Sequence, residues 1–159
     1  MQVFDASSMI HAWDNYPIAQ FPKLWEWIAG EVGSADFTMP RCALEEVAHK
    51  TPECGDWLHD QGLTVLTPEN DILQRALQIK HQLGIVNDAY HVDGVDENDI
   101  VIIASACVYT GELVSNERKQ PTLPQNLARW KIPAVCQMQG VAISCVSFVE
   151  LVKQSARVF

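Results

Sequence analysis

The sequence predicts an α/β fold, a three-layer α/β/α sandwich around a central parallel sheet of four to five strands. Short apolar runs alternate along the whole chain with segments whose apolar residues recur at helical spacing. Right-handed crossovers between parallel strands place helices on both faces of such a sheet. The 159 residues, 48% hydrophobic and 19% charged, fit one domain spanning residues 1–159.

Five short segments are predicted as strands because they are apolar or alternate β-branched residues with leucine, and turn or helix signals follow them. They are residues 1–4, 36–39, 63–66, 112–115 and 141–146.

Helical spacing of apolar residues predicts the segments between the strands as helices. Pro22 stands at a first-turn position, and Ser147 with Glu150 forms a capping-box pattern. Residues 100–109 are apolar all round, which favours a central buried helix, whereas residues 87–98 are polar and acidic and predict a loop. The predicted helices are 8–13, 22–30, 41–49, 53–61, 67–83, 100–109, 132–139 and 147–154.

Composition excludes several classes of protein. The net charge of −9 argues against a domain that coats nucleic acid by charge alone, but not against an enzyme that handles a phosphodiester at one metal-screened site. No apolar run is long enough to span a bilayer, and the first ten residues lack a basic signal-peptide region. We therefore expect a cytoplasmic protein with no membrane partner.

The cysteines are odd in number and none has CxxC spacing, which argues against a zinc knuckle or a disulfide framework. We expect reduced, mostly buried thiols at Cys42, Cys54, Cys107, Cys136 and Cys145.

Acidic residues follow the predicted strands at one edge of the sheet. Asp5 comes directly after the first strand, and Glu45 and Glu46 lie one helical turn beyond the second. Asp99 opens the helix that leads to the fourth strand, and Glu117 lies two residues past that strand. Carboxylates that converge on the carboxyl edge of a sheet repel one another unless a cation intervenes. The pattern therefore predicts a site for Mg²⁺ or Mn²⁺, which prefer carboxylate and water oxygens.

Four segments together resemble the PIN domain, and within it the VapC-like toxin ribonucleases and a related subfamily of uncharacterised bacterial PIN proteins with a KIPxVC-type motif. They are VFDASSMI, FTMPRCALEEV, DIVIIASACVYTGELVSNE and KIPAVCQMQGVAISCVSFVEL. The resemblance covers both ends of the chain and is less diagnostic between residues 51 and 95. It implies a PIN-like domain that hydrolyses RNA phosphodiesters with a divalent metal.

The resemblance also implies a set of site residues. Asp5, Glu46 and Asp99 would form the metal-binding core, with Glu117 as the fourth catalytic acid. Ser7 would position Asp5, a ligand water or a phosphate.

Two assignments in this set stay open. Helical periodicity cannot decide between Glu45 and Glu46, because both flank the buried arc of their helix about equally. The family spacing prefers Glu46, since it lies six residues after Pro40. Asp96 or Asp93 could replace Glu117 as the fourth acid.

Basic and aromatic side chains suggest contacts with partners. The densest basic group follows the fourth strand and could hold RNA phosphates, or could be ordinary solvated loop charges. Its members are Arg118, Lys119, Arg129 and Lys131. Trp13, Trp25 and Trp27 lie in early helices and could form a dimer or partner surface.

The first hypothesis is therefore a Mg²⁺- or Mn²⁺-dependent endoribonuclease that acts as the toxin of a toxin–antitoxin pair, with RNA as substrate, an antitoxin protein as partner and a possible homodimer. The alternative is a catalytically weak PIN-like module that acts by binding a protein partner. A phosphatase-like hydrolase would need a second Asp where Ser7 stands. The RNA target, the number of metal ions and the antitoxin are not encoded in these motifs.

Overall fold

A computed structural model describes residues 1–159. Five parallel strands form one sheet in the order β3-β2-β1-β4-β5. The strands are β1 (Gln2–Phe4), β2 (Phe37–Pro40), β3 (Thr64–Leu66), β4 (Glu112–Val114) and β5 (Cys145–Val146). The predicted fold class is confirmed. The strand order reverses between β1 and β4, and the crevice outside this reversal is where open parallel sheets place their sites.

Helices connect the strands, as the sequence predicts. They are α1 (Ala6–Asn15), α2 (Pro22–Gly33), α3 (Arg41–Lys50), α4 (Pro52–Asp60), α5 (Asn70–Gln82), α6 (Glu97–Val108), α7 (Ile132–Cys136) and α8 (Phe148–Gln154), with a 3₁₀ turn at Leu127–Arg129. None of these helices is long and apolar enough to cross a membrane.

The largest differences from the predicted boundaries lie near the C-terminus. The fifth strand is confined to Cys145–Val146, and α7 ends at Cys136. The chain turns between them, since Val141 and Ala142 donate backbone hydrogen bonds to the Met138 carbonyl. Ala142 adopts a positive φ of 50°, which an extended strand cannot contain. The apolar residues predicted as strand therefore form a turn.

The core is centred on β1 and α6. Val3 and Phe4 of β1 are fully buried, and the Phe4 ring lies 4.8 Å from the ring of Phe37 on β2. Helix α6 is buried along most of its length, which confirms the prediction of a central buried helix. Its one buried hydroxyl, that of Ser105, donates to the Val101 carbonyl at 2.8 Å. No buried side-chain nitrogen or oxygen of the protein lacks a hydrogen-bond partner.

Candidate functional site

Asp5 lies where β1 ends and α1 begins, at the reversal of strand order. Its backbone N–H donates to the Val114 carbonyl of β4 at 2.9 Å, which holds the residue against the neighbouring strand. Ser8 reinforces this junction, because its hydroxyl contacts both the Asp5 and Val114 carbonyls at 2.8 Å. Although Asp5 precedes a helix, its carboxylate makes no capping hydrogen bond to it. The ordinary structural role for an aspartate at this position is therefore not the one that Asp5 performs.

The Asp5 side chain is only 4% exposed and no basic side chain pairs with it. Two hydroxyls donate to its Oδ2 atom, Ser7 Oγ at 2.5 Å and Ser115 Oγ at 2.9 Å, so Oδ1 has no side-chain donor. Burial raises the pKa of Asp5, the two serine hydroxyls lower it, and the charge of Glu46 raises it further. This is a buried carboxylate whose charge the protein only partly compensates.

The two serines connect the ends of β1 and β4. Ser7 Oγ accepts from the backbone N–H of Asn116 at 3.0 Å, and Ser115 Oγ accepts from the N–H of Glu117 at 3.2 Å. The two hydroxyls therefore link Asp5 by hydrogen bonds to the segment that carries Glu117. This arrangement fixes both the Asp5 carboxylate and the backbone of the next acidic residue.

Asp96 and Asp99 form a capping box at the start of α6. The Asp96 carboxylate accepts from the Asp99 N–H, and the Asp99 carboxylate accepts from the Asp96 N–H, both at 2.9 Å. The pKa of Asp99 is raised to about 7, first by burial and then by the charges of Asp96, Glu117 and Asp5, against the lowering effect of the Asp96 N–H. Asp99 thus both caps a helix and lies in the electrostatic field of Asp5.

Glu117 reaches the same region from the loop after β4. Its Oε2 atom accepts from the N–H of Ile132, the first residue of α7, at 2.9 Å. Burial raises the pKa of Glu117, the Ile132 N–H and Lys131 lower it, and the charges of Asp5 and Asp96 raise it further. Glu117 is therefore held by a helix start and not by an ion pair.

Glu46 and Glu45 project differently from α3. Glu46 forms an ion pair with Lys50 at 2.5 Å, with 38% of its side chain exposed, and its charge acts on Asp5. Glu45 is exposed beside a separate cleft of about 220 Å³ that Pro68 and Leu73 help to line. The charge of Glu46 therefore acts on Asp5, whereas Glu45 borders the separate cleft.

The four basic residues after β4 divide into two pairs. Lys119 bonds to Glu150 at 2.9 Å and Arg129 to Asp93 at 3.2 Å. Arg118 is exposed and Lys131 half-buried, and neither forms an ion pair.

Asp93 and the tryptophans lie apart from the acidic group. Asp93 is paired with Arg129 and lies 3.7 Å from His91. Trp13 and Trp25 pack edge to face at 5.3 Å in a cluster with Trp57. Trp25 is almost fully buried, so this cluster stabilises the contact between helices.

The family model described as "Domain of unknown function (DUF4411)" matches residues 2–159. The chain belongs to the DUF4411 family. No curated protein matches its sequence.

Solved structures resemble this DUF4411 chain in fold. A toxin–antitoxin complex from Klebsiella pneumoniae shares 16% identity, with a TM-score of 0.51 over 75% of this chain and 88% of that chain. VapBC2 from Rickettsia felis, bound to a DNA fragment from its promoter, shares 13% identity, with a TM-score of 0.55 over 92% and 97%. PAE2754 from Pyrobaculum aerophilum shares 13% identity, with a TM-score of 0.50 over 98% and 90%. At these identities the likeness shows a common PIN-like fold.

The donor set of the DUF4411 chain fits a hard divalent cation in chemistry. Carboxylate oxygens from Asp5, Asp99 and Glu117 act on one another electrostatically at the carboxyl edge of the sheet, and such oxygens are the ligands that a hard cation prefers. The Cys42 thiol also lies in the electrostatic field of Asp5, and burial raises its pKa to about 11. However, no group of three His, Cys, Asp or Glu side chains is close enough together to hold a metal ion. Mg²⁺ keeps several waters and needs only one or two direct carboxylates, so a looser acidic cleft is compatible with it.

Sequence reasoning did not identify the role of Ser115 and Asn116 in the DUF4411 site. Ser115 donates directly to Asp5, while the Asn116 side chain accepts from the N–H of Phe148 and so ties the site to α8. A hydroxyl at the carboxyl end of the strand next to β1 was the available signal, since that edge also carries Asp5. Asn116 offered no signal, because its partner is a backbone group 32 residues away.

Proposed function

We propose that the chain is a Mg²⁺- or Mn²⁺-dependent endoribonuclease and the toxin component of a toxin–antitoxin pair. The observation that carries the proposal is the group of acidic side chains around Asp5, where carboxylates from separate segments raise one another's pKa. Leaving such charges uncompensated costs folding stability, and a bound divalent cation would remove that cost. Carboxylates that repel one another without stabilising the fold are typical of a functional site.

Within this proposal Asp5, Glu46 and Asp99 are the metal-binding side chains and Glu117 is the fourth acid, with Asp96 as its alternative. Ser7 and Ser115 both donate to Oδ2 of Asp5, and Oδ1 is the atom that we assign as the ligand. When bound, the cation supplies a more acidic water for attack on phosphorus and stabilises the charge on the leaving oxygen. Arg118 and Lys131, which have no ion-pair partner, are the side chains we assign to RNA phosphates.

The toxin role is supported by the descriptions of solved structures that have the same fold. Two of the structures that share it are described as a toxin–antitoxin complex and as VapBC2. A protein antitoxin is therefore the partner we propose, and an RNA substrate places the activity in the cytoplasm. A homodimer stays a prediction.

Asp5→Asn tests the proposal directly. Asparagine keeps the size of the side chain and accepts hydrogen bonds, but it removes the charge that a cation needs. We expect Mn²⁺-dependent cleavage of single-stranded RNA to fall below about 1% of the wild-type rate, and the rise in melting temperature with Mn²⁺ to disappear. Asp36→Asn is the matched control, because Asp36 is exposed at the opposite edge of the sheet and should change neither reading. Full activity in Asp5→Asn would refute the site.

A second candidate function is the catalytically weak PIN-like module that binds a protein partner. It is favoured by the anchoring of each peripheral acid to another group: Glu46 to Lys50, Asp99 to its capping box and Glu117 to α7. Titration of the wild-type protein with Mn²⁺ separates the two functions, because a protein that binds the ion in its folded state must gain stability. No thermal stabilisation at millimolar Mn²⁺, together with no RNA cleavage, would refute the nuclease and favour the binding module.

A further inference from the structure

The separate cleft that Glu45 borders has no part in the function proposed above. Helices α3 and α6 and the segment from Pro68 to the first turn of α5 line it. Its volume is about 220 Å³, below the roughly 300–1,000 Å³ of pockets that hold whole drug-sized ligands. A cleft of this size suits one small planar ring system.

The separate cleft shares its two helices with the acidic group. On α3, Glu45 borders the cleft and the next residue, Glu46, acts on Asp5. On α6, Asn98 borders the cleft and the next residue, Asp99, lies in the field of Asp5. Consecutive residues of a helix are turned by about 100° from each other, so the cleft and the acidic group lie on adjacent faces of the same helices. A polymer held at the acidic group therefore has the cleft within reach of the next unit of its chain.

The charged side chains of the cleft are not paired with one another. Arg41 and Glu45 are four residues apart on α3, a spacing at which opposite charges commonly pair, yet no ion pair joins them. Arg41 instead donates to Thr67 Oγ1, in the segment after β3, at 3.4 Å. Glu97 at the start of α6 adds a second carboxylate without an ion pair. The cleft therefore presents one guanidinium and two carboxylates to an occupant.

These charges and the apolar wall of the cleft define the class of occupant. Two carboxylates outweigh one guanidinium, so the cleft repels a phosphate. Pro68, Leu73 and Val101 provide an apolar surface for a flat ring, and Leu73 is 44% exposed until something covers it. The matching occupant is a neutral planar ring with hydrogen-bond donors on one edge and acceptors on another. The bases of single-stranded RNA have this chemistry and are read on these edges.

We propose that the separate cleft binds a guanine base of the RNA substrate, an inference that rests on the proposed function. The Glu45 carboxylate accepts from N1–H and from the N2 amino group of the base. Arg41 donates to O6 and N7, the contact by which arginine most often reads guanine. Adenine, cytosine and uracil each lack two adjacent donor groups, so none of them satisfies the carboxylate in this way.

Binding of free nucleosides tests the cleft without reference to cleavage. The isotope-labelled full-length protein is titrated in EDTA with guanosine, adenosine, inosine, which lacks the N2 amino group, and 7-deazaguanosine, which lacks the N7 acceptor. We expect guanosine to shift the NMR signals of the Glu45 and Asn98 amides, and to bind about 10-fold more tightly than either analogue, as loss of one side of a bidentate contact predicts. No shifts at these residues, or adenosine binding as tightly as guanosine, would overturn the proposal. Shifts there with arginine but not with guanosine would also overturn it, in favour of a basic segment of a protein partner.

Two variants assign each contact to its side chain. Glu45→Gln replaces the charged acceptor by an amide and should lose the preference for guanosine over inosine, but keep that over 7-deazaguanosine. Arg41→Lys keeps the positive charge but loses the planar pair of donors, and should show the reverse pattern. Glu53→Gln, an exposed glutamate on α4 outside the cleft, is the matched control and should keep both preferences. A general loss of folding cannot produce this crossed pattern, and preferences that survive in both variants would overturn the assignment.

Mapping of RNA cuts separates this inference from the proposed function. The substrate is a single-stranded oligouridine with one guanosine, cleaved by the wild-type protein with Mn²⁺. We expect cuts at a fixed position relative to the guanosine, and loss of that position when inosine replaces it or when Glu45→Gln is used. Cuts without regard to guanosine, together with no guanosine binding, would overturn the guanine site and leave the proposed function intact. Guanosine binding without any RNA cleavage would refute the proposed function and the role of the base as substrate, but not the site.

Discussion

The two edges of the sheet use polar groups in opposite ways. At the carboxyl edge Asp5, Asp99 and Glu117 are buried or half-buried, and their pKa values are raised. At the amino edge the polar side chains around the large cavity are satisfied locally: Glu112 accepts from Ser144 at 2.7 Å, and Arg75 donates to the Gly140 carbonyl at 2.5 Å. A cavity of about 630 Å³ therefore lies at the edge where the polar side chains are paired.

Under the proposed function, cavity size is a poor guide to the site in this fold. A cleft that admits a polymer must be open, whereas the amino-edge cavity follows from the turn between α7 and β5. Electrostatic cost is the better guide, because a protein retains mutually repelling carboxylates only where they serve something other than stability. The following predictions test this contrast, starting with the largest expected effect.

Half-buried glutamates flank β4, with Glu112 at its start and Glu117 three residues past its end, which gives a matched pair of variants. Glu117→Gln keeps the acceptor for the Ile132 N–H but removes the charge at the carboxyl edge. We expect Mn²⁺-dependent RNA cleavage to fall about 10- to 100-fold. Glu112→Gln keeps the bond from Ser144 at the amino edge and should leave cleavage within about twofold, as a surface substitution away from such features does. Equal losses in the two variants would mean that the edges do not differ in function.

Helix α3 offers a second pair within the carboxyl edge. Glu46 acts on Asp5 electrostatically, while Glu45 faces the separate cleft beside Pro68 and Leu73. We expect Glu46→Gln to weaken Mn²⁺ binding by about 10-fold, measured by isothermal titration calorimetry, and Glu45→Gln to change it little. The ion pair of Glu46 with Lys50 is exposed and is worth at most about 1 kcal/mol, so folding stability should hardly change. A larger loss from Glu45→Gln would exchange the two assignments.

The alternation of apolar runs and helical periods was enough to predict a parallel sheet of four to five strands and the buried α6, because elements buried on both sides have near-continuous apolar sequences. The parallel strand order then places the acidic residues that follow the strands at one edge of the sheet, the carboxyl edge. Periodicity alone does not choose between Glu45 and Glu46, since neighbouring residues on a helix differ only by rotation about its axis. The charge of Glu46 on Asp5 supports Glu46 as the ligand that we propose.

Other features depend on contacts that no local pattern encodes. The spacing of Asp96 and Asp99 fits a capping box, but only the structure shows that Asp99 also feels the charges of Glu117 and Asp5. The serine bridge from Ser7 to Ser115 joins residues 108 positions apart. The short β5 was predicted too long, because the apolar composition of a turn resembles that of a strand.

Asp99 gives a pH-dependent prediction. Its pKa rises from 3.8 in the unfolded chain to about 7 in the folded protein, so the folded state binds the proton more tightly. Stability from this group is therefore full below pH 3.8 and is lost as the pH rises through 7. Asp99→Asn keeps the acceptor for the Asp96 N–H. Because asparagine does not ionise, the variant does not lose this stability as the pH rises. In EDTA we expect the melting temperature of the variant at pH 8 to exceed that of the wild type by about 2–4 °C, for a gain near 1 kcal/mol.

That advantage should shrink toward pH 5, where Asp99 is protonated in the folded wild-type protein. With Mn²⁺ present at pH 8 the order should reverse, because only the wild type retains the ligand. If the difference in melting temperature between Asp99→Asn and the wild type stays constant from pH 5 to pH 8, the charge of Asp99 does not destabilise the folded protein.

The smallest effect is expected at the amino edge, where the chain enters its strands through strained residues. Ala35 precedes β2 with a φ of 61°, a left-handed conformation that glycine adopts without strain. We expect Ala35→Gly to stabilise the protein by up to about 1 kcal/mol after the entropy gained by the unfolded chain is subtracted. Ala29→Gly, inside α2, should instead destabilise it by about 1 kcal/mol. Both can be measured by urea unfolding, and neither should alter RNA cleavage, since strain at this edge serves only to turn the chain. A loss of cleavage in Ala35→Gly would give the amino edge a functional role that its satisfied polar groups argue against.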